Sequence, residues 1–467
     1  MRNKQLLVFF ASIISCFILG MLSYSPYGSL PHNLAIFSSF FVFVSIFTLV
    51  VYRSMSSIFI IPFISLNWVY FQSPFLLKEK TSYFLRIIKD EYVNEIAFYT
   101  SMSILLIYIG YSFFFNKPRS VLTPTNYQFS NQSLKKLVYI FIVMGGVFRI
   151  GELASPVLVA QLSNIIQILF YGPTIVFALY VLYHLRSGIK FEFSAFSLIT
   201  ILFLFTEFAI RLSTTLFAQV IILFLGVLLA YFREKRKIPI IAISVLLLLL
   251  YPLYEVRKAY RLKIVGNEKS SSAINEGIKL VEDVYIDGDQ FSKELDGFRK
   301  NQYNKKHNRF ENLSFISHVV LLHKTGVKPF LNGSTFYWLP LVPIPRIIFP
   351  AKPENVMSTE VATSYGLRGV VSKASINFPM LVEAYINFDF HGMLIMSLLF
   401  GIAYKFFVVR VGFGLGDINL LIIINSIKQF MHAEGNITLV FGAMIQVYIF
   451  WWLLIRLVNF NKYGRKV

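Results

Sequence analysis

The residues best placed to do chemistry lie in a proline-punctuated basic segment, Pro340 to Pro353. It contains Pro343, Pro345, Arg346, Pro350, Lys352 and Pro353 in the pattern P-x-P-R-x-x-x-P-x-K-P. Prolines fix φ and remove backbone donors, so a regular helix is excluded there. Arg346 and Lys352 are expected in a stiff, extended frame, with Ile347, Ile348 and Phe349 between them free to rest on a bilayer surface. Two cations held at a membrane face suit a phosphorylated lipid.

A second basic pair follows an apolar run in Tyr254-Glu255-Val256-Arg257-Lys258-Ala259-Tyr260-Arg261. In a continuing helix Arg257 and Arg261 stand at i and i+4 and share a face. The arginine fork matches phosphate oxygens; equally, the pair reads as snorkelling anchors at a helix end. Glu383, in Pro379-Met380-Leu381-Val382-Glu383-Ala384-Tyr385-Ile386-Asn387-Phe388, is expected near the outer end of an apolar helix that Pro379 starts. A carboxylate there is costly unless used or paired. It serves either as acceptor of a sugar hydroxyl's proton or as salt-bridge partner of an arginine. His432 and Glu434 face the same side, as a functional pair or as solvated interface residues.

Other combinations carry less. Glu207 and Arg211 at i, i+4 read as a structural ion pair, and Arg149 with Glu152 poses the same question. Asp287-Gly288-Asp289 is formally a D-x-D, but an acidic turn around glycine is common. His318 and His323 at i, i+5 do not share a helix face, so no zinc site is expected. Cys16 is the single cysteine, which excludes an intramolecular disulfide and a cysteine zinc site. The lipoprotein-like Ile13-Ile14-Ser15-Cys16 reads as part of an uncleaved first membrane helix. There is no phosphate-binding Walker loop, no nucleophile elbow and no dinucleotide fingerprint, so no metal and no cofactor is expected.

The elements that must position these residues are membrane helices. The 467 residues are 56% hydrophobic and 15% charged, with mean hydropathy +0.63. Apolar runs long enough to span a bilayer recur. About twelve spans are expected, near 5–23, 33–51, 56–72, 96–115, 137–151, 161–184, 194–210, 213–232, 238–255, 380–409, 418–434 and 437–457, the tenth breaking near Gly392. The formal charge of +20 follows topology rather than nucleic acid. Basic residues such as Arg233, Lys235, Arg236 and Lys237 gather in connections expected to face the cytoplasm. No basic-aromatic module stands in a soluble domain. The expected organisation is an N-terminal bundle of about nine spans over 1–255, a large outside loop over 256–378, and three C-terminal spans over 379–467. Within the loop, Leu313–Leu322 is expected to lie as an amphipathic helix in the interface.

With Pro345-Arg346, Pro350-x-Lys352-Pro353 and Glu383-Ala-Tyr385-Ile-Asn387-Phe-Asp-Phe-His-Gly392, this layout resembles the oligosaccharide repeat-unit polymerases, the Wzy-type O-antigen polymerases. One departure is that no arginine is followed by glycine in the Arg-x10-Gly pattern of one branch of that family. The resemblance implies an all-α polytopic protein of GT-C-like architecture in the bacterial inner membrane. Both termini would be cytoplasmic and the large loop periplasmic. It implies a glycosyltransferase that moves a glycan from undecaprenyl pyrophosphate onto the non-reducing end of a fresh lipid-linked repeat unit, working with a chain-length-regulating membrane protein. On that basis Arg257, Arg261, Arg346 and Lys352 hold the pyrophosphate. Arg346 and Glu383 act in catalysis, and Tyr385, Asn387, Trp338, His432 and Glu434 are sugar or accessory contacts. An O-antigen ligase and a lipid-linked oligosaccharide flippase remain as alternatives.

Overall fold

The computed structural model describes residues 14, 29–51, 60–76, 89–113, 127–154, 172–188, 194–213, 217–235, 312–337, 339–342, 344, 349, 360–366, 378–411, 416–430, 435–458 and 464–466. They are mostly helical. In chain order the helices are α1 Leu30–Val51, α2 Ile60–Phe71, α3 Ser73–Leu76, α4 Asp90–Phe113, α5 Asn131–Ala154, α6 Gly172–Ser187, α7 Ala195–Ser213, α8 Phe217–Lys235, α9 Asn312–Lys324, α10 Glu360–Ser364, α11 Met380–Val411, α12 Asp417–Phe430 and α13 Ile437–Val458. Two of them, over Asp90–Ser112 and Met380–Val411, are long and apolar enough to cross a membrane.

The chain divides into two compact units, one formed by 1–128, 156–168 and 309–467, the other by 129–155 and 169–308. In the first, α4 and α11 make the most extensive helix pair. Glycine sets their approach. A Cβ on Gly401 would strike the backbone oxygen of Ile107, and one on Gly110 would strike that of Leu398. Small residues that let backbones meet are the usual currency of helix packing in membranes, where lipid is as apolar as leucine. Local signals set the helix starts. Asn436 accepts the amide of Leu439 through its side-chain oxygen at 2.7 Å, capping α13.

Helix α11 is continuous in outline but broken inside, at Phe388 (φ −141°, ψ 18°) and Asp389 (φ 61°, ψ −172°). Gly392 lies next to the break, and a Cβ there would collide with that of Phe388. The Asp389 backbone occupies a region open in practice only to glycine, at a cost of about 1–3 kcal/mol.

Helix α9, the segment expected at the bilayer interface, packs within this unit against α2, α4 and α11. Leu313, Ile316, Val319 and Val320 are buried. The buried Ser317 returns its hydroxyl to Leu313 O at 2.6 Å.

In the second unit, α5, α6, α7 and α8 pack together. Val143, Val147 and Ile150 on α5 and Leu202 and Phe205 on α7 are exposed. Glu207 makes two hydrogen bonds to Arg149, both 2.8 Å, and lies 3.6 Å from Arg211. The expected i, i+4 pair is therefore part of a three-residue cluster, and Arg149 finds Glu207 across the helix pair. Arg186 pairs with Glu234 at 2.6 Å.

Candidate functional site

The site is built in the first unit, where the loop before the proline segment meets the break in α11. Two loop amides extend onto helix carbonyls whose helical partners the break removes. Leu331 N donates to Ile386 O at 2.9 Å and Asn332 N to Asn387 O at 3.2 Å. The turn that follows needs left-handed backbone at Asn332 (φ 49°) and Gly333 (φ 83°); glycine supplies this freely and asparagine tolerates it.

Asn387 joins the two segments. Its Oδ1 accepts the Gly333 amide at 2.9 Å, and its Nδ2 donates to Thr335 Oγ1 at 2.9 Å and to Glu383 O at 2.8 Å. The residue is fully buried. An amide is the one neutral side chain that supplies both acceptor and donors from a planar head.

Glu383 is also fully buried. Its Oε2 accepts the amide of Ile437 at 2.6 Å, the first residue of α13. A carboxylate at a helix start satisfies an orphan amide and complements the helix dipole. Its Oε1 has no hydrogen-bond partner among the described residues. Glu383 lies in the first turn of α11, at the helix end where the sequence puts it, with its carboxylate enclosed by protein. The side chain points inward because the α13 terminus offers a buried donor, and among the described residues it ion-pairs with no arginine.

Helix α13 in turn holds the loop. Gln446 donates to Val342 O at 2.6 Å. The Val342 side chain occupies the place where a Cβ on Gly442 would be. The lead into Pro345-Arg346 is therefore fixed by the same helix that Glu383 caps. Arg346 itself, Lys352, Arg257, Arg261, Trp338, His432 and Glu434 lie outside the described residues, as does Asp287-Gly288-Asp289. Tyr337, beside Trp338, is 80% exposed.

On the other side of the break stands a polar-aromatic group. Lys324 pairs with Glu95 at 3.0 Å, and its ammonium lies 5.7 Å from the Tyr92 ring centre and 5.8 Å from that of Phe390. Tyr99 stacks on Phe390 at 4.4 Å. Tyr385 is buried, its ring packed at 4.7 Å from Phe390 and 5.6 Å from His323. His318 and His323 converge on one residue despite their i, i+5 spacing. His318 Nε2 meets Tyr365 O and His323 Nε2 meets Tyr365 Oη, each at 2.9 Å. Burial holds the His323 imidazole below its usual range, against opposing effects of the Lys328 backbone and Asp389. No group of three or more metal-ligating side chains occurs among the described residues.

Of the sequence-predicted residues that are described, Glu383, Tyr385 and Asn387 share one helix segment around which the rest is organised. Sequence reasoning missed Asp389, Glu95 and Lys324. A carboxylate inside the long apolar run 380–411 was the available signal for Asp389. The chain matches no family model, no curated protein and no solved structure.

Proposed function

We propose that this protein is a polytopic inner-membrane glycosyltransferase of about twelve spans and GT-C-like architecture. It polymerises undecaprenyl-pyrophosphate-linked oligosaccharide repeat units into a surface polysaccharide at the periplasmic face. The observation that carries this reading is the clamped loop. Residues 331–344 are tied to the α11 break through Asn387 and to α13 through Gln446 and Gly442, directly before Pro345-Arg346. In the proposed mechanism this loop leads into Arg346 and Lys352, the cations that meet the pyrophosphate. Preorganised cations stabilise a leaving group best where water is scarce.

In the reaction, the acceptor hydroxyl oxygen bonds to the anomeric carbon of the growing glycan as the bond from that carbon to the pyrophosphate oxygen breaks. The bonding pair leaves on the lipid pyrophosphate, which takes up the hydroxyl proton. Arg346 and Lys352, with Arg257 and Arg261, neutralise the phosphate charge. Glu383 serves as a positioning residue: it fixes the start of α13, and through α13 the basic segment. A chain-length-regulating membrane protein is the expected partner.

The test is deletion of the gene in its host, with lipopolysaccharide and lipid-linked glycans analysed side by side. Loss of the polymer ladder, with single repeat units still transferred to the lipid A core, supports the polymerase. Polymer accumulating on the carrier lipid would mean a ligase instead, and single units trapped there would mean a flippase. Complementation with R346A should restore protein to the membrane but not the ladder; a full ladder from R346A would remove Arg346 from the mechanism.

A further inference from the structure

The break in α11 places a carboxylate where the mechanism above has no use for it. Asp389 is partly buried, and its Oδ1 is buried without a hydrogen-bond partner among the described residues. The Tyr385 hydroxyl is likewise buried without a described partner. They stand four residues apart on α11, on either side of the non-helical Phe388, and the Tyr385 ring packs against Phe390 and His323. Lys324 joins the group, paired with Glu95 at 3.0 Å and lying 5.8 Å from the ring centre of Phe390, the residue after Asp389. A buried acceptor and a buried donor left open on one stretch of helix are costly in a finished core and suit a ligand that brings its own hydroxyls.

The charges indicate which part of the substrate belongs here. One ammonium stands against two carboxylates, a balance that repels pyrophosphate but accepts hydroxyl donors. Tyr92 and Tyr99 add ring surface beside it: the Tyr92 ring lies under Lys324, and Tyr99 stacks on Phe390. Apolar ring surface with a few convergent polar groups is the composition of small-molecule sites.

Resting on the glycosyltransferase reading, we propose that Asp389, Glu95, Lys324 and Tyr385 form a glycan subsite that recognises hydroxyls of the acceptor repeat unit and sets its specificity. It is assigned to hydroxyls, whereas the proposed function assigns the pyrophosphate to the basic segment. Asp389 acts here as a binding residue. Its strained backbone puts the carboxylate in the subsite rather than along the helix.

The strain provides the test. Asp389→Gly relaxes the backbone while deleting the carboxylate, and Asp389→Asn keeps the shape and removes the charge. Membranes carrying each form, prepared from the deletion strain, are supplied with the lipid-linked repeat units that strain accumulates. Two soluble inhibitors are compared: the repeat-unit oligosaccharide freed from its lipid by mild acid, and inorganic pyrophosphate. Both variants should need about tenfold or more oligosaccharide for half inhibition, the range of a hydrogen bond to a charged group. Pyrophosphate inhibition should be unchanged, and Asp389→Gly should keep or raise the thermal midpoint. Oligosaccharide inhibition that both variants leave unchanged overturns the subsite while the polymerase stands. Weakening of both inhibitors together also overturns it, because the effect would then be general. Wild-type membranes that make no polymer overturn the underlying functional reading.

Discussion

Replacing Asn387 by alanine should release the loop that carries the basic segment. The side chain makes three hydrogen bonds in a fully buried setting, one to Gly333 N, one to Thr335 Oγ1 and one to Glu383 O. Each is worth about 0.5–1.5 kcal/mol net, and a buried amide left without a partner costs about 1–3 kcal/mol. The Gly333 amide becomes such an orphan unless the loop opens to water. Opening is therefore the cheaper response, and the loop should lose about 2 kcal/mol of protection. At 1.4 kcal/mol per tenfold, that corresponds to exchange of the Gly333 amide about thirtyfold faster. Hydrogen–deuterium exchange on the peptide covering 331–336, in nanodiscs, reads this directly. Ser397→Ala is the control: it removes a buried hydroxyl of the same helix whose bond, to Met393 O at 2.7 Å, never leaves the helix. Polymer length in cells should fall for Asn387→Ala and hold for Ser397→Ala. Unchanged exchange in 331–336 would refute the clamp, and with it the route by which α11 positions Arg346.

Further outcomes follow from the same geometry. Gly401→Ala sets a methyl against the Ile107 carbonyl and should destabilise the α4–α11 pair by about 1–3 kcal/mol or more, read as a lower thermal midpoint in detergent. Gly442→Ala drives out Val342 and should shorten the polymer while the protein remains in the membrane, seen on gels beside an immunoblot. His323, held below its usual range by burial, is neutral in the fold. Its folded value lies below an unfolded value of about 6.5, so its stabilising contribution is complete above that pH and is lost as pH falls through the folded value. The thermal midpoint should fall on acidification from about pH 7 to about pH 5, and His323→Gln should flatten the fall; equal slopes would clear His323 of the effect. Glu383→Gln retains an acceptor for the Ile437 amide and should keep part of the ladder, whereas Glu383→Leu orphans that amide and should abolish it.

The sequence made the helices legible because apolar length and proline placement are local properties. The interruption in the 380–411 helix was legible too, through Gly392, although the torsions that break it fall at Phe388 and Asp389. Glycine marked the space into which Phe388 turns, whereas Asp389 stood out only as a carboxylate in an apolar run, which gives no sign of its torsions. Glu383 and Asn387 were identifiable as polar residues in an apolar run, but their partners were not. Ile437, Gly333 and Thr335 lie about fifty residues away, and their contacts arise from tertiary docking. The same holds for His318 and His323. Their spacing excludes a shared face, yet one reaches the backbone and the other the hydroxyl of Tyr365. Amphipathicity marked α9 as a helix with an apolar face, but not that α2, α4 and α11 pack against it.

The α11 break explains why one helix can serve two substrates' needs. An unbroken helix would satisfy the carbonyls of Ile386 and Asn387 internally, and the loop amides of Leu331 and Asn332 would have no edge to join. Breaking the helix frees those carbonyls for the loop, and the same break sets the backbone of Asp389. On the proposed reading, residues 383–389 thus hold both the loop that leads toward the basic segment and the carboxylate assigned to the glycan. Direct contact between Arg346 or Lys352 and Asp389 would cancel the charges each function needs.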